Sequence, residues 1–216
     1  EIGSGLVGSE MCIRDRYNFM FFNFNYTALL DNYIYLDKGQ FDPHEWTSAD
    51  RHFTFYPEFV ESSTPTRWSS YLVTNLVHPH GQQDIPRSIL FGMDVPEYNK
   101  GTSREKRLIK SYWARYDVMY KSYFEDAELF IIYGMSISES DGWWMDQIFD
   151  AILQRNAELI IYKYGDEKEE YIKNLFILAS IRHATATDKE KEDVKARIHV
   201  VTFKENDTYF LGTVKK

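Results

Sequence analysis

One short apolar run, Leu129-Phe130-Ile131-Ile132-Tyr133, ended by Gly134, constrains this chain more than any other stretch. It is too short for a helix and rich in aromatic and β-branched residues, so it reads as a strand buried on both faces. Gly134 then turns the chain sharply and lets the backbone come close to a ligand. Ser138 and Asp141 have the capping-box spacing of a helix start. Met145, Ile148, Phe149 and Ile152 follow on one helical face. Leu159-Ile160-Ile161-Tyr162 is a second buried strand, and strands joined through a helix form a parallel βαβ unit. The N–H groups at such a helix start can hold an anion, often phosphate. From this stretch alone a plain corner without ligand is the favoured reading, since every α/β protein contains such corners.

The remaining chain fits the same plan. Residues 19–25 read as a buried strand ending in Asn25-Tyr26-Thr27, with Thr27 or Asn25 capping a short helix through Leu29, Leu30 and Tyr33. Residues 37–70 are broken by Asp42-Pro43, Tyr56-Pro57 and Thr64-Pro65 and read as an insertion or lid. Tyr71 to Val77 is a strand, followed by His78-Pro79-His80-Gly81, and residues 88–92 are a short strand closed by Gly92. Residues 102–126 are predicted as the longest helix, with Ile109, Tyr112, Trp113, Tyr116, Tyr120 and Tyr123 on one face. Its basic start reads as a solvated face or as a phosphate or nucleic-acid contact. Residues 166–180 form the next helix, residues 185–193 a charged linker or short helix, and Ile198 to Phe203 a last strand. Strands alternating with helices predict an α/β fold, Rossmann-like, with a mostly parallel sheet flanked by helices.

Residues 1–16 stand apart. Gly3-Ser4-Gly5-Leu6-Val7-Gly8 matches G-x-G-x-x-G, but only Glu1 and Ile2 precede it, so the strand a dinucleotide site needs is missing. From Leu6 to Arg16 the residues resemble a translated sequencing-adapter read-through. Residues 1–16 are therefore expected to be a non-native leader before a single domain over 17–216, whose native start lies upstream of Tyr17. The one cysteine, Cys12, falls in that leader. With Pro79 between His78 and His80, no metal is expected. The net charge of −8 gives no support for general nucleic-acid binding. No apolar run reaches bilayer length, so no membrane partner is expected and the location is expected to be cytoplasmic.

In an open α/β sheet, ligands bind beyond the carboxyl ends of the strands. Asn25-Tyr26-Thr27, His80-Gly81, Phe91-Gly92 and Gly134-Met135-Ser136 occupy those ends. Each has a plain alternative: Asn25 as a turn cap, His80 as a satisfied loop histidine, Asp141 as a helix-start residue. A neutral imidazole is also the natural base near neutral pH.

Phe24-Asn25-Tyr26-Thr27, His80-Gly81, Ile89-Leu90-Phe91-Gly92 and Gly134-x-Ser136-Ile137-x-Glu139-Ser140-Asp141 come in the order and rough spacing of the bacteriophage abortive-infection AbiH family. The chain resembles that family over most of residues 17–203. The family pattern is F-N-Y-T, an apolar residue before H-G, an apolar pair before F-G, and G-H-S-L-x-x-x-D. Met135 stands where the family usually has His, and Pro79 where it has an apolar residue. The family's first strand with G-N-G-F-D is absent, as truncation would explain. The family is in turn similar to sirtuins and sirtuin-like NAD-cleaving defence proteins. The resemblance implies a bacterial antiphage protein that binds and cleaves NAD or a related nucleotide, or else a non-catalytic nucleotide- or partner-sensing module, with a phage component as trigger. It implies Asn25 orienting the ribose or a water and His80 as the base. Tyr26, Thr27, Gly81, Gly92, Gly134, Ser136 and Asp141 would line the nucleotide.

Overall fold

The computed structural model describes residues 16–33, 71–97, 102–204, 209–210 and 213–214. The expected insertion over 37–70 and all of the leader but Arg16 lie outside the described residues. The chain divides into two compact units, residues 1–89 and 90–216.

In the first unit, β1 (Arg16–Phe22) and β2 (Tyr71–Val77) pair in parallel, from Arg16 opposite Tyr71 to Phe22 opposite Val77. Arg16, last residue of the expected leader, is thus the first of β1. β1 stops three residues before Asn25 because the side chain of Asn23 redirects the chain. Its Oδ1 accepts from the Asn25 N–H at 3.0 Å, and its amide donates to the Thr27 carbonyl at 3.3 Å. Such local bonds give the backbone an alternative to the ladder. Helix α1 (Leu29–Tyr33) follows as predicted.

In the second unit, β3 (Leu129–Tyr133), β4 (Glu158–Tyr164) and β5 (Ile198–Phe203) form a parallel sheet with β4 in the centre. The predicted βαβ unit is present. Four short helices precede it: α2 (Ser103–Lys106), α3 (Lys110–Trp113), α4 (Tyr116–Met119) and α5 (Ser122–Glu125). Helix α6 (Gly142–Arg155) connects β3 to β4, while α7 (Glu169–Ala179) and α8 (Asp188–Lys195) connect β4 to β5. Asn156, left-handed at φ 60°, ends α6. A short antiparallel pair, β6 (Tyr209–Phe210) and β7 (Thr213–Val214), closes the unit.

Register partners share a face in a parallel sheet, so Phe130, Leu159 and Ile198 line up, as do Ile132, Ile161 and Val200. The core joins this face to Trp143, Met145, Phe149 and Ile152 of α6, Ile172 and Phe176 of α7, and Val194 of α8, all essentially fully buried. Burial of that apolar area is the main favourable term in folding.

Four expectations are corrected. The strands around Phe21, Ile131, Ile161 and Val200 fall into two parallel ladders among the described residues rather than one sheet. β3 is not buried on both faces. Among the described residues it ends the strand order, and only Ile132 is buried while Leu129, Ile131 and Tyr133 are exposed. The single helix over 102–126 is replaced by α2 to α5. Ile109 is drawn into a bridge with Met93, whose N–H and carbonyl bond Leu108 O and Lys110 N, each at 2.9 Å. Arg115 adopts the left-handed conformation at φ 54° and stops α3 from continuing. The strand expected over 88–92 is also absent. There the Ser88 hydroxyl closes a turn, donating to the Gln82 carbonyl at 2.6 Å and accepting from the Gln82 N–H at 2.9 Å.

Candidate functional site

Two places hold the residues singled out from the sequence. The first is the loop cluster beyond the carboxyl ends of β1 and β2. Because these strands are parallel and in register, the loops starting at Asn23 and His78 leave the same edge side by side. The Asn23 N–H extends the ladder to Val77 O at 2.9 Å, and the Gln83 N–H donates to Tyr26 O at 2.9 Å. Asn25, Tyr26, Thr27, His80 and Gly81 all belong to this cluster. The side chains of Asn25 and Tyr26 reach the surface. His80 is buried, 7% exposed, with Phe24 edge-on at 5.0 Å.

Gly81 has a steric reason to be glycine. It sits at φ +86°, and a Cβ there would lie 2.1 Å from the Ser88 carbonyl oxygen. The H-G pair therefore lets two stretches of backbone touch.

His78, weighed above only as a metal ligand, is the hub of this cluster. Its Nδ1 lies 3.2 Å from Asn25 O, and its Nε2 lies 2.8 Å from Asp31 Oδ2 and 2.7 Å from the Gln82 side-chain nitrogen. Asn23, Asp31, His78 and Gln82 were not read as functional from sequence. The one legible signal was a histidine placed directly after an apolar strand.

The second place is the approach to α6. Gly92 sits at φ +149°, and a Cβ there would fall 2.3 Å from Leu108 O, so this glycine permits the bridge to Ile109. Gly134 turns at φ +64° with nothing within 4 Å of a Cβ, and Ser136 is exposed beside it. The predicted capping box does not form. The Ser138 hydroxyl meets that of Ser140 at 2.8 Å, and Asp141 accepts from Lys110 Nζ at 2.6 Å.

The helix start does hold an anion, but it is the chain's own. Asp94, from the loop after Gly92, accepts from the Trp143 N–H at 2.5 Å and from Ser111 Oγ at 2.6 Å. Arg182 grips the same carboxylate through both terminal nitrogens, at 3.0 and 2.9 Å, and reaches Asp146 at 2.6 Å. The side chains of Asp94 and Asp146 are each 2% exposed. Burial opposes the charge on Arg182, but its hydrogen bonds to Asp94 and Asp146 outweigh this and raise the group above its ordinary value. Nearby, burial first and the charge of Asp141 second push the Tyr116 phenol far up. A negative charge at a helix N-terminus is favourable whoever supplies it.

Among the described residues, no group of three or more His, Cys, Asp or Glu side chains is placed to hold a metal. No helix among them is long and apolar enough to cross a membrane.

Residues 6–163 match the sequence model of the family Bacteriophage abortive infection AbiH. The chain belongs to that family. Membership gives this AbiH chain a bacterial antiphage, abortive-infection role. The matched stretch begins inside the residues read as a leader and ends in β4. It covers the loop cluster and Asp94, but not Arg182. No curated protein and no solved structure matches the AbiH chain.

Proposed function

We propose that this AbiH chain binds NAD or a related nucleotide beyond the ends of β1 and β2 and cleaves it during the antiphage response. In this reading Asn25 orients the ribose or a water, and His80 is the base. Tyr26, Thr27 and Gly81 line the nucleotide. A phage component is the trigger, and the reaction takes place in the cytoplasm. The observation that supports this most is the side-by-side departure of the Asn25 and His80 loops from one edge of a parallel pair, tied by Gln83 N to Tyr26 O. Convergence of polar loops at such an edge is the usual setting for ligand binding in α/β folds.

The burial of His80 against Phe24 favours a second reading, a nucleotide-sensing module without turnover. One assay separates them: loss of NAD with purified full-length protein, with and without phage components, beside its His80→Ala and Asn25→Ala variants. Removal of a general base typically costs about 10²–10⁴-fold. His80→Ala should therefore abolish measurable turnover while circular dichroism shows a folded protein, and Asn25→Ala should do much the same. Unchanged turnover in His80→Ala excludes it as the base. Nucleotide binding without turnover in the wild type selects the sensing module.

A further inference from the structure

The contacts of His78 go beyond the two residues assigned to the chemistry. The ring lies between three segments: the loop after β1 through the Asn25 carbonyl, helix α1 through Asp31, and its own loop through Gln82. Its side chain is 9% exposed and that of Asp31 25%. Nε2 lies 2.8 Å from Asp31 Oδ2 and 2.7 Å from the Gln82 amide nitrogen, which can only donate. The Asn25 carbonyl offers only lone pairs to Nδ1, so that nitrogen is the donor. Gln82 completes the corner, with its side-chain nitrogen 3.5 Å from Asp31 Oδ1. Both ring nitrogens are engaged, which leaves His78 no atom for a substrate. The ring instead fixes the backbone of Asn25 from a point two residues before His80.

We infer that His78 and Asp31 are a positioning pair, holding the Asn25 loop to the His80 loop so that the two reacting residues keep one geometry. The pair rests on the nucleotide reading for its effect on rate, but not for its existence. A misplacement of about 1 Å at a reacting group can cost on the order of 100-fold. His78→Ala and Asp31→Ala in full-length protein should each lower kcat for NAD loss by about 10–100-fold and leave KM within a few-fold. The double variant should be no worse than the worse single one, because each change breaks the same contact. Asp31→Asn keeps a polar side chain of the same size beside Nε2 and should restore part of the rate; it also serves if the alanine variants misfold. Single losses that multiply in the double variant would overturn the pair. A wild type that consumes no NAD would defeat the proposed function alone. The pair is then decided by ¹⁵N NMR of the His78 ring, whose Nε2 resonance should move in Asp31→Asn. An Nε2 resonance indifferent to that change would overturn it.

Discussion

Both units end a parallel strand in polar residues, and each uses them differently. In residues 90–216, Asp94, Arg182 and Asp146 form a closed ion cluster, and Asp141 is taken by Lys110. The start of α6 is thereby filled from within. In residues 1–89, the loops after β1 and β2 satisfy their backbone through Asn23 and His78, and Asn25 and Tyr26 remain at the surface. A strand, a glycine turn and a helix start look alike in sequence whether or not the anion slot is taken. What separates the two cases is a carboxylate delivered from elsewhere in the chain.

The largest test removes that carboxylate. Asp94→Ala leaves Arg182 half-paired and takes the acceptor from Trp143 N–H and Ser111. Breaking a buried ion pair by removing one partner typically costs about 3–5 kcal/mol. The urea midpoint should fall accordingly; a loss under about 1 kcal/mol would mean that solvent or a neighbour replaces Asp94 easily. A smaller test compares two glycines. Gly134→Ala should cost only the left-handed conformation, about 1–2 kcal/mol. Gly81→Ala should cost more in the same denaturation assay, because its Cβ also meets the Ser88 backbone. Equal losses would remove the steric role of the H-G pair.

The smallest effect is one of pH. His183 stacks on Phe149 at 4.2 Å and lies 3.4 Å from Asp150. Burial works to lower it, but the hydrogen bond and charge of Asp150, with Asp146, raise it above its ordinary value. A raised histidine stabilises the fold fully below its unfolded value, about 6.5, and the gain fades as pH rises through the folded value. Water reaches Asp150, so the gain should stay under about 1 kcal/mol. His183→Gln should flatten the decline in the urea midpoint over that window. An unaltered profile would place the titration elsewhere.

The segments legible in the sequence were those whose pattern carried its own partner. Strands β3, β4 and β5 showed as continuous apolar runs, and α6 and α7 as apolar residues at helical spacing. The outer face of β3 was not legible: Leu129, Ile131 and Tyr133 have a core composition yet are exposed, because nothing within β3 says which of its faces the helices cover. The helical spacing over 102–126 misled for a related reason. Its interruption depends on Met93, which captures Ile109 from outside the segment. At the candidate site, Asn25 and His80 were found through motif order. Asn23, Asp31 and His78 matter through contacts that form only after β1 and β2 align. Asp94 and Arg182 are likewise paired by folding and by no local pattern.

That last pairing spans 88 residues of chain. A ribosome adding roughly 5–20 residues per second needs roughly 4–18 s to travel from one partner to the other. Through that interval Asp94 has been made and its guanidinium has not. α6 thus emerges from the ribosome before Arg182 can lock its start, and the second unit becomes whole only after Arg182 has been made. A nascent chain stalled before Arg182 should therefore carry the helix without its lock and be the form most open to proteases and chaperones.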